Sequence, residues 1–184
     1  SGNGTRQAFL YLRASGWADS NSLAIRTPAG IITAELTGPD SATVELGRAT
    51  TASSQFPEGP ADGRAEVEIS GRVERFQFVS VANPQCVFEV ASPAQLDALD
   101  IGAIGPLIGH DSRFPGRTNV SWWTAIDERK IRARIFERGV GETASSGTGA
   151  SGAAVASVLA GGSSPVTVAL DGGELLVEVD DAMN

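Results

Sequence analysis

The stretch Ser146-Gly147-Thr148-Gly149-Ala150-Ser151-Gly152-Ala153-Ala154-Val155-Ala156-Ser157-Val158-Leu159-Ala160-Gly161 decides the fold. It opens on small residues, its segment of helical length from Ala150 to Ala160 carries no charge, and it stops at a glycine, as helices do. A helix without charge has no face to offer water, so it has to be wrapped, here by sheet. Its opening has a counterpart: Ser1-Gly2-Asn3-Gly4 precedes the helical-length stretch Thr5 to Ala14, with Phe9, Leu10 and Leu12, and Gly16 follows. The alignment continues downstream. Leu23-Ala24-Ile25 and Gly30-Ile31-Ile32-Thr33-Ala34-Glu35-Leu36 match Val166-Thr167-Val168 and Gly173-Glu174-Leu175-Leu176-Val177-Glu178-Val179. Each copy predicts a Gly-rich opening, a helix and a β-hairpin, which makes the chain an internal repeat.

Between the copies, Ala49 to Gly63 is rich in Ser, Thr, Pro, Gly and Ala, lacks a sustained apolar period, and reads as a linker or long loop. Ala65 to Ile69 and Arg72 to Val81 alternate as strands around a turn at Gly71, and Cys86 to Val90 gives a third strand. Ile131 to Phe136 alternates apolar residues with Arg132 and Arg134, the pattern of a half-exposed strand. It runs toward the second Gly-rich opening and would bring Glu137, Arg138 and Ser146 together.

The 22 Asp and Glu outweigh 14 Lys and Arg, and the arginines are scattered, so the charge balance of −8 argues against a nucleic-acid partner. No run approaches the roughly 18 apolar residues of a membrane helix, and no signal pattern opens the chain, so the expectation is a soluble, cytoplasmic protein. Cys86, the lone cysteine, sits in the apolar run Cys86-Val87-Phe88 and reads as a buried small hydrophobe. His110 has no companions at zinc spacing and reads as a structural or surface histidine. No G-x-S-x-G elbow or phosphate loop is present.

A helix N-terminus offers unpaired N–H groups and a partial positive charge, and so receives carboxylate or phosphate. If the two repeated openings face one ligand, Ser1 and Ser146 approach it from opposite sides. A racemase that works without a cofactor needs this arrangement, because one group removes the α-proton while another donates to the opposite face. Taken alone, the SG-x-G tetrapeptide can equally mark a tight turn before a core helix.

Ser1-Gly2-Asn3-Gly4-Thr5-Arg6 resembles the first catalytic motif of the diaminopimelate epimerase family, with serine where that family has cysteine. Glu137-Arg138-Gly139-Val140-Gly141-Glu142-Thr143 followed by Ser146-Gly147-Thr148-Gly149-Ala150 is similar to its second motif, again with serine for cysteine. Thr27-Pro28-Ala29-Gly30, Val79-Ser80-Val81-Ala82-Asn83-Pro84, Gly105-Pro106, Phe114-Pro115 and Asn119-Val120 extend the resemblance along nearly the whole chain. It implies an α+β fold of two pseudo-symmetric domains, each a curled, mostly antiparallel sheet around a central helix, with the site in the cleft between them. The corresponding division is 1–48 as part of a first domain, incomplete in this chain, 49–63 as linker, 64–176 as second domain, and 177–184 as the start of a return to the first. The resemblance further implies cofactor-independent epimerisation of an amino acid. Ser1 and Ser146 take the acid/base positions, and Gly2, Asn3, Asn83, Asn119, Glu137, Arg138, Gly147 and Thr148 bind the substrate.

Three departures bear on this. A thiol can be lowered from about 8.5 to roughly 3.5–7.5 at a helix N-terminus, whereas an alcohol is far less acidic and cannot do the same unaided. Gln85 follows Asn83-Pro84 where the family usually has histidine. The chain begins at the first catalytic position, which leaves two readings open: a second chain supplying the preceding segment, or a shortened sequence. Besides an epimerase or its inactivated form, the residues also leave open a cyclase, dehydratase or self-processed protein with an N-terminal serine, and a noncatalytic amino-acid binding module.

Overall fold

The structure, a computed structural model, describes residues 2–27 and 30–184. It divides into two units, Ser1–Gly47 and Arg48–Asn184. In the first unit the Gly-rich opening runs straight into α1 (Gly2–Ala14), whose Thr5 and Phe9, one helical turn apart, are both buried. The helix lies on a three-stranded antiparallel sheet, β1 (Ser22–Thr27), β2 (Gly30–Gly38) and β3 (Ser41–Val44), in sequence order. Ala34 on β2 is fully buried, whereas Trp17 is 80% exposed. The strand β3 is an addition to the repeat unit read from the sequence.

Near the start of the second unit, residues 49–63 contain no helix or strand beyond a bridge from Thr50 to Ser80. Read from composition as a linker or long loop, this segment packs as part of the second unit. Phe56 is buried, with its ring centroid 5.1 Å from Phe78 and 5.0 Å from Phe114. A single aromatic anchors it, and one residue leaves no periodic signature. Residues 177–184 also cluster with this unit. Val179 is buried, and the Met183 carbonyl accepts the Ala49 N–H at 2.7 Å.

The hairpin around Gly71 forms as expected from β4 (Arg64–Ile69) and β5 (Arg72–Val81). Its two turn residues, Ser70 and Gly71, both have positive φ, the pattern of a type I′ turn. Next come β6 (Asn83–Glu89), the short helix α2 (Pro93–Asp97), α3 (Ile101–Gly109), β7 (Asn119–Asp127), β8 (Lys130–Glu137) and β9 (Gly141–Thr143). The charge-free stretch is α4 (Gly147–Leu159), followed by the hairpin β10 (Val166–Leu170) and β11 (Gly173–Val177). These strands form one eight-stranded sheet in the order β11-β10-β8-β7-β6-β5-β4, with β9 beside β8. The pairs are antiparallel except β6–β7 and β8–β10. Parallel pairs need crossovers: α2 and α3 make the first, and α4 the second.

Successive strand residues face opposite sides. Val87, Trp123, Ile131 and Ile135 pack with Ala150, Ala153 and Ala154 of α4, whereas Cys86, Phe88, Val120 and Trp122 pack with Leu96, Ile101 and Ile108 of α2 and α3. The helix α4 touches β5, β6, β7, β8, β10 and β11, so the sheet does wrap it. Close approach is possible because Gly149 and Gly152 lack side chains: a Cβ at either would lie 2.8 Å from Ile135 or Gln85 respectively.

The repeat is visible in three dimensions. Both α1 and α4 have 13 residues, and each precedes an antiparallel hairpin. The hairpins close through Thr27 opposite Gly30 and Leu170 opposite Gly173, and these glycines have φ of +122° and +132°. The fold is α+β with two pseudo-symmetric parts, each a predominantly antiparallel sheet with a helix against it.

Candidate functional site

Sheet topology gathers the site residues of the second unit. Because β6 and β7 run parallel with Gln85 opposite Asn119, both strands begin at the same end of the sheet. Antiparallel β8, with Phe136 opposite Val120, finishes there. Ala82, at φ +59°, turns the chain so that Asn83 leads β6. Asn83, Gln85, Asn119, Ser121 and Glu137 share the α4-facing side, since Val87, Trp123 and Ile135 on the same alternation pack on α4. This face is therefore polar at one end and apolar at the other.

The polar end lies under the start of α4. Ser146 is its N-cap, with extended backbone and a hydroxyl that accepts the Gly149 N–H at 3.2 Å. Ser146 is only 3% exposed. The N–H groups of Gly147 and Thr148 come next, and groups at this position have no acceptor within the helix.

Asn119 is buried, and its Oδ1 accepts the backbone N–H of Arg138 at 2.8 Å. A backbone N–H can only donate, which fixes the orientation of the carboxamide. The Asn119 Nδ2 is left as a buried donor without a partner among the described residues. Asn83 meets Gln85 in a hydrogen bond between two side-chain amides, Asn83 Oδ1 lying 2.5 Å from Gln85 Nε2. Glu137 Oε1 accepts the Thr143 hydroxyl at 2.9 Å, across the β8–β9 pairing. The Arg138 guanidinium is exposed and donates to the Gly116 carbonyl at 2.6 Å. Hydrogen-bond donors, one carboxylate and a helix N-terminus thus converge, a combination suited to a zwitterion.

Of the residues singled out from the sequence, Asn83, Asn119, Glu137, Ser146, Gly147 and Thr148 lie at this end of the second unit, whereas Arg138 contributes only its backbone N–H, to Asn119, and its guanidinium lies with Gly109, His110 and Phe136 on the α3 side. Asn3 belongs to the first turn of α1, where its Oδ1 accepts from Arg6, and Gly2 begins that helix. Ser1 lies outside the described residues, as do Pro28 and Ala29 of the Thr27–Gly30 match. His110 caps α3, with Nδ1 2.7 Å from the Pro106 carbonyl. Cys86 is fully buried, and burial holds its thiol well above the usual range. No cluster of metal-ligating side chains occurs among the described residues, nor is any helix long and apolar enough to cross a membrane. Two contributors were not assigned from the sequence. Gln85 registered only as a departure from a motif, and Thr143 stood inside a motif with no sign that its hydroxyl would meet Glu137.

Comparison with known proteins bears on these residues directly. The diaminopimelate epimerase family profile matches residues 77–184, which include every site residue of the second unit. A diaminopimelate epimerase of Desulfitobacterium hafniense is 37% identical over 186 residues, covering 96% of this chain and 64% of the relative. One from Moorella thermoacetica is 35% identical over 185 residues, covering 96% and 65%. The chain thus spans about 64% of the length of the first of these relatives. Among solved structures, a probable proline racemase from Agrobacterium radiobacter superposes with a TM-score of 0.63 at 15% identity, over 91% of this chain and 55% of its own. A hydroxyproline epimerase from Agrobacterium vitis, with bound trans-4-hydroxy-L-proline, gives 0.56 at 16% identity, over 94% and 61%. These two likenesses establish the fold, and the profile match, over more than half of the residues, establishes the lineage: this chain belongs to the diaminopimelate epimerase family.

Proposed function

We propose that this scaffold binds an amino acid of the diaminopimelate type and belongs to a cofactor-independent epimerase whose two acid/base positions are Ser1 and Ser146. The observation that carries the reading is the fixed polarity of Asn119, whose oxygen is held by a backbone N–H. The Asn119 oxygen is occupied by the Arg138 N–H, which leaves its NH2 as a buried donor on the α4-facing side, and Asn83 stands beside it on β6, bonded to Gln85. Together with the N–H groups of Gly147 and Thr148, this donor suits a carboxylate, and Glu137 supplies the opposite charge for an ammonium group.

In such a reaction a base takes the α-hydrogen as a proton, and the electron pair stays on the α-carbon beside the carboxylate. An acid then returns a proton to the opposite face. Atoms and electrons balance with no oxidant or cofactor, and only configuration changes. A thiolate at the head of α4 would serve as the base, because the helix N-terminus lowers a thiol's pKa. The Ser146 hydroxyl instead acts as an N-cap, a role that supports binding without rapid proton transfer. Ser1 is assigned the second position by its motif.

The test is exchange of the α-proton of diaminopimelate in deuterated buffer, with binding followed in parallel by calorimetry. The chain as it stands is expected to bind without exchange, and the Ser1→Cys, Ser146→Cys double variant to exchange. Absence of binding in both proteins would refute the reading. Product formation without α-deuterium would redirect it to a cyclase or dehydratase.

A further inference from the structure

Gln85 is fully buried, yet it is polar, and it lies two residues from Asn83 on β6 and directly opposite Asn119 on β7. Its Nε2 donates to Asn83 Oδ1, and its Oε1 has no partner among the described residues. A buried carbonyl oxygen without a partner loses its hydration and gains nothing in return, so folding alone would favour an apolar residue here. The surroundings hold it firmly. Val79 flanks it on β5 and Asn119 on β7, and its Cβ and Cγ fill the space that a Cβ on Gly152 of α4 would need. None of these three neighbours is titratable.

We propose that Gln85 is a positioning residue that sets the direction of the Asn83 carboxamide. A carboxamide can present either its NH2 or its oxygen to a ligand, and nothing in asparagine itself decides which. The Gln85 N–H occupies the Asn83 oxygen, so the ligand meets the amide hydrogens. Position 85 thereby determines whether the start of β6 favours a carboxylate or an ammonium group, without touching either. This inference rests on the amino-acid site proposed above.

Two variants and two measurements test it. In Gln85→Met the side chain keeps its length and loses both polar atoms, so Asn83 is free to turn, and binding of meso-diaminopimelate is expected to weaken about tenfold, the scale of one hydrogen bond. In Gln85→Glu the introduced carboxyl behaves in two ways. When protonated it donates to Asn83 as glutamine does. When ionised it can only accept, and it turns the Asn83 NH2 away from the ligand. Burial raises a carboxyl pKa above its ordinary value of about 4.3, so the ratio of the variant's affinity to the parent's, taken at each pH so that groups common to both proteins cancel, should be near one at low pH and fall about tenfold as the introduced carboxyl ionises. The second measurement needs no ligand: the NMR resonances of the Asn83 side-chain NH2 in all three proteins. They are expected to move in Gln85→Met and to titrate in Gln85→Glu with the same midpoint. Resonances that stay put in both variants, or unchanged affinity in both, would overturn the assignment. If the parent fails to bind diaminopimelate, the functional reading fails, and the resonances alone decide the role of Gln85.

Discussion

Ser146→Ala offers a direct measure of how the second Gly-rich opening is built. The substitution removes the hydroxyl that accepts the Gly149 N–H at 3.2 Å and changes little else, because alanine fits where serine stood. Loss of an N-cap serine costs about 1 kcal/mol on average and up to about 2. Ser146 is 3% exposed and Gly149 is buried, so water cannot readily replace the lost acceptor, and the upper part of that range applies, about 1.5–2 kcal/mol. For a urea slope near 2 kcal/mol/M, the midpoint should fall by about 0.75–1 M with the slope unchanged. Tryptophan fluorescence is the natural assay, since Trp122 and Trp123 are 3% and 5% exposed in the second unit. A loss below about 0.3 kcal/mol would show that the Ser146 hydroxyl is not the cap of α4, and the argument for an anion-receiving helix start would go with it.

Other perturbations probe the support of the site. Burial holds the Cys86 thiol neutral to well above its ordinary range, whereas in the unfolded chain it ionises near 8.5. At higher pH the native state therefore binds more protons than the unfolded one, and stability should fall by up to about 1.4 kcal/mol per pH unit above that value. Urea titrations from pH 8 to 10 should show this contribution in the parent and not in Cys86→Ala; identical slopes would contradict it. Gly105→Ala places a Cβ 2.5 Å from Cγ of the Phe136 ring, an atom too near the backbone to swing aside. Overpacking of about 1–3 kcal/mol should exceed the roughly 1 kcal/mol that alanine gains over glycine in a helix. Thermal melting should show a less stable protein, and a more stable one would mean that α3 shifts freely over β8.

The legible parts of this protein are those whose cause is local. A charge-free run closed by glycines can only be a wrapped helix, and the repeated order of helix and hairpin reappears as α1-β1-β2 and α4-β10-β11. The alternation of Arg132 and Arg134 with Ile131, Ala133 and Ile135 likewise marked β8, because one of its faces is buried against α4. The strand β7 was not legible, since Trp122 and Trp123 are both buried on opposite faces and the period of two disappears. The helices α2 and α3 were hidden by their content: α2 is five residues long, and α3 contains Gly102, Gly105 and Pro106.

The candidate site divides in the same way. Its residue types and motif spacing were present in the sequence, and so was the promise of an anion at the head of α4. That Asn83 and Asn119 begin adjacent strands was decided by the parallel pairing of β6 with β7. That pairing forms across the α2–α3 crossover and is fixed by burial on both sheet faces, which no window of sequence contains. The orientation of Asn119 depends in turn on a partner that packing alone could supply, the Arg138 N–H, and Asn83 meets Gln85 only in the folded chain. A side-chain amide reads the same in sequence whichever end faces the ligand, so its polarity is a property of the tertiary structure.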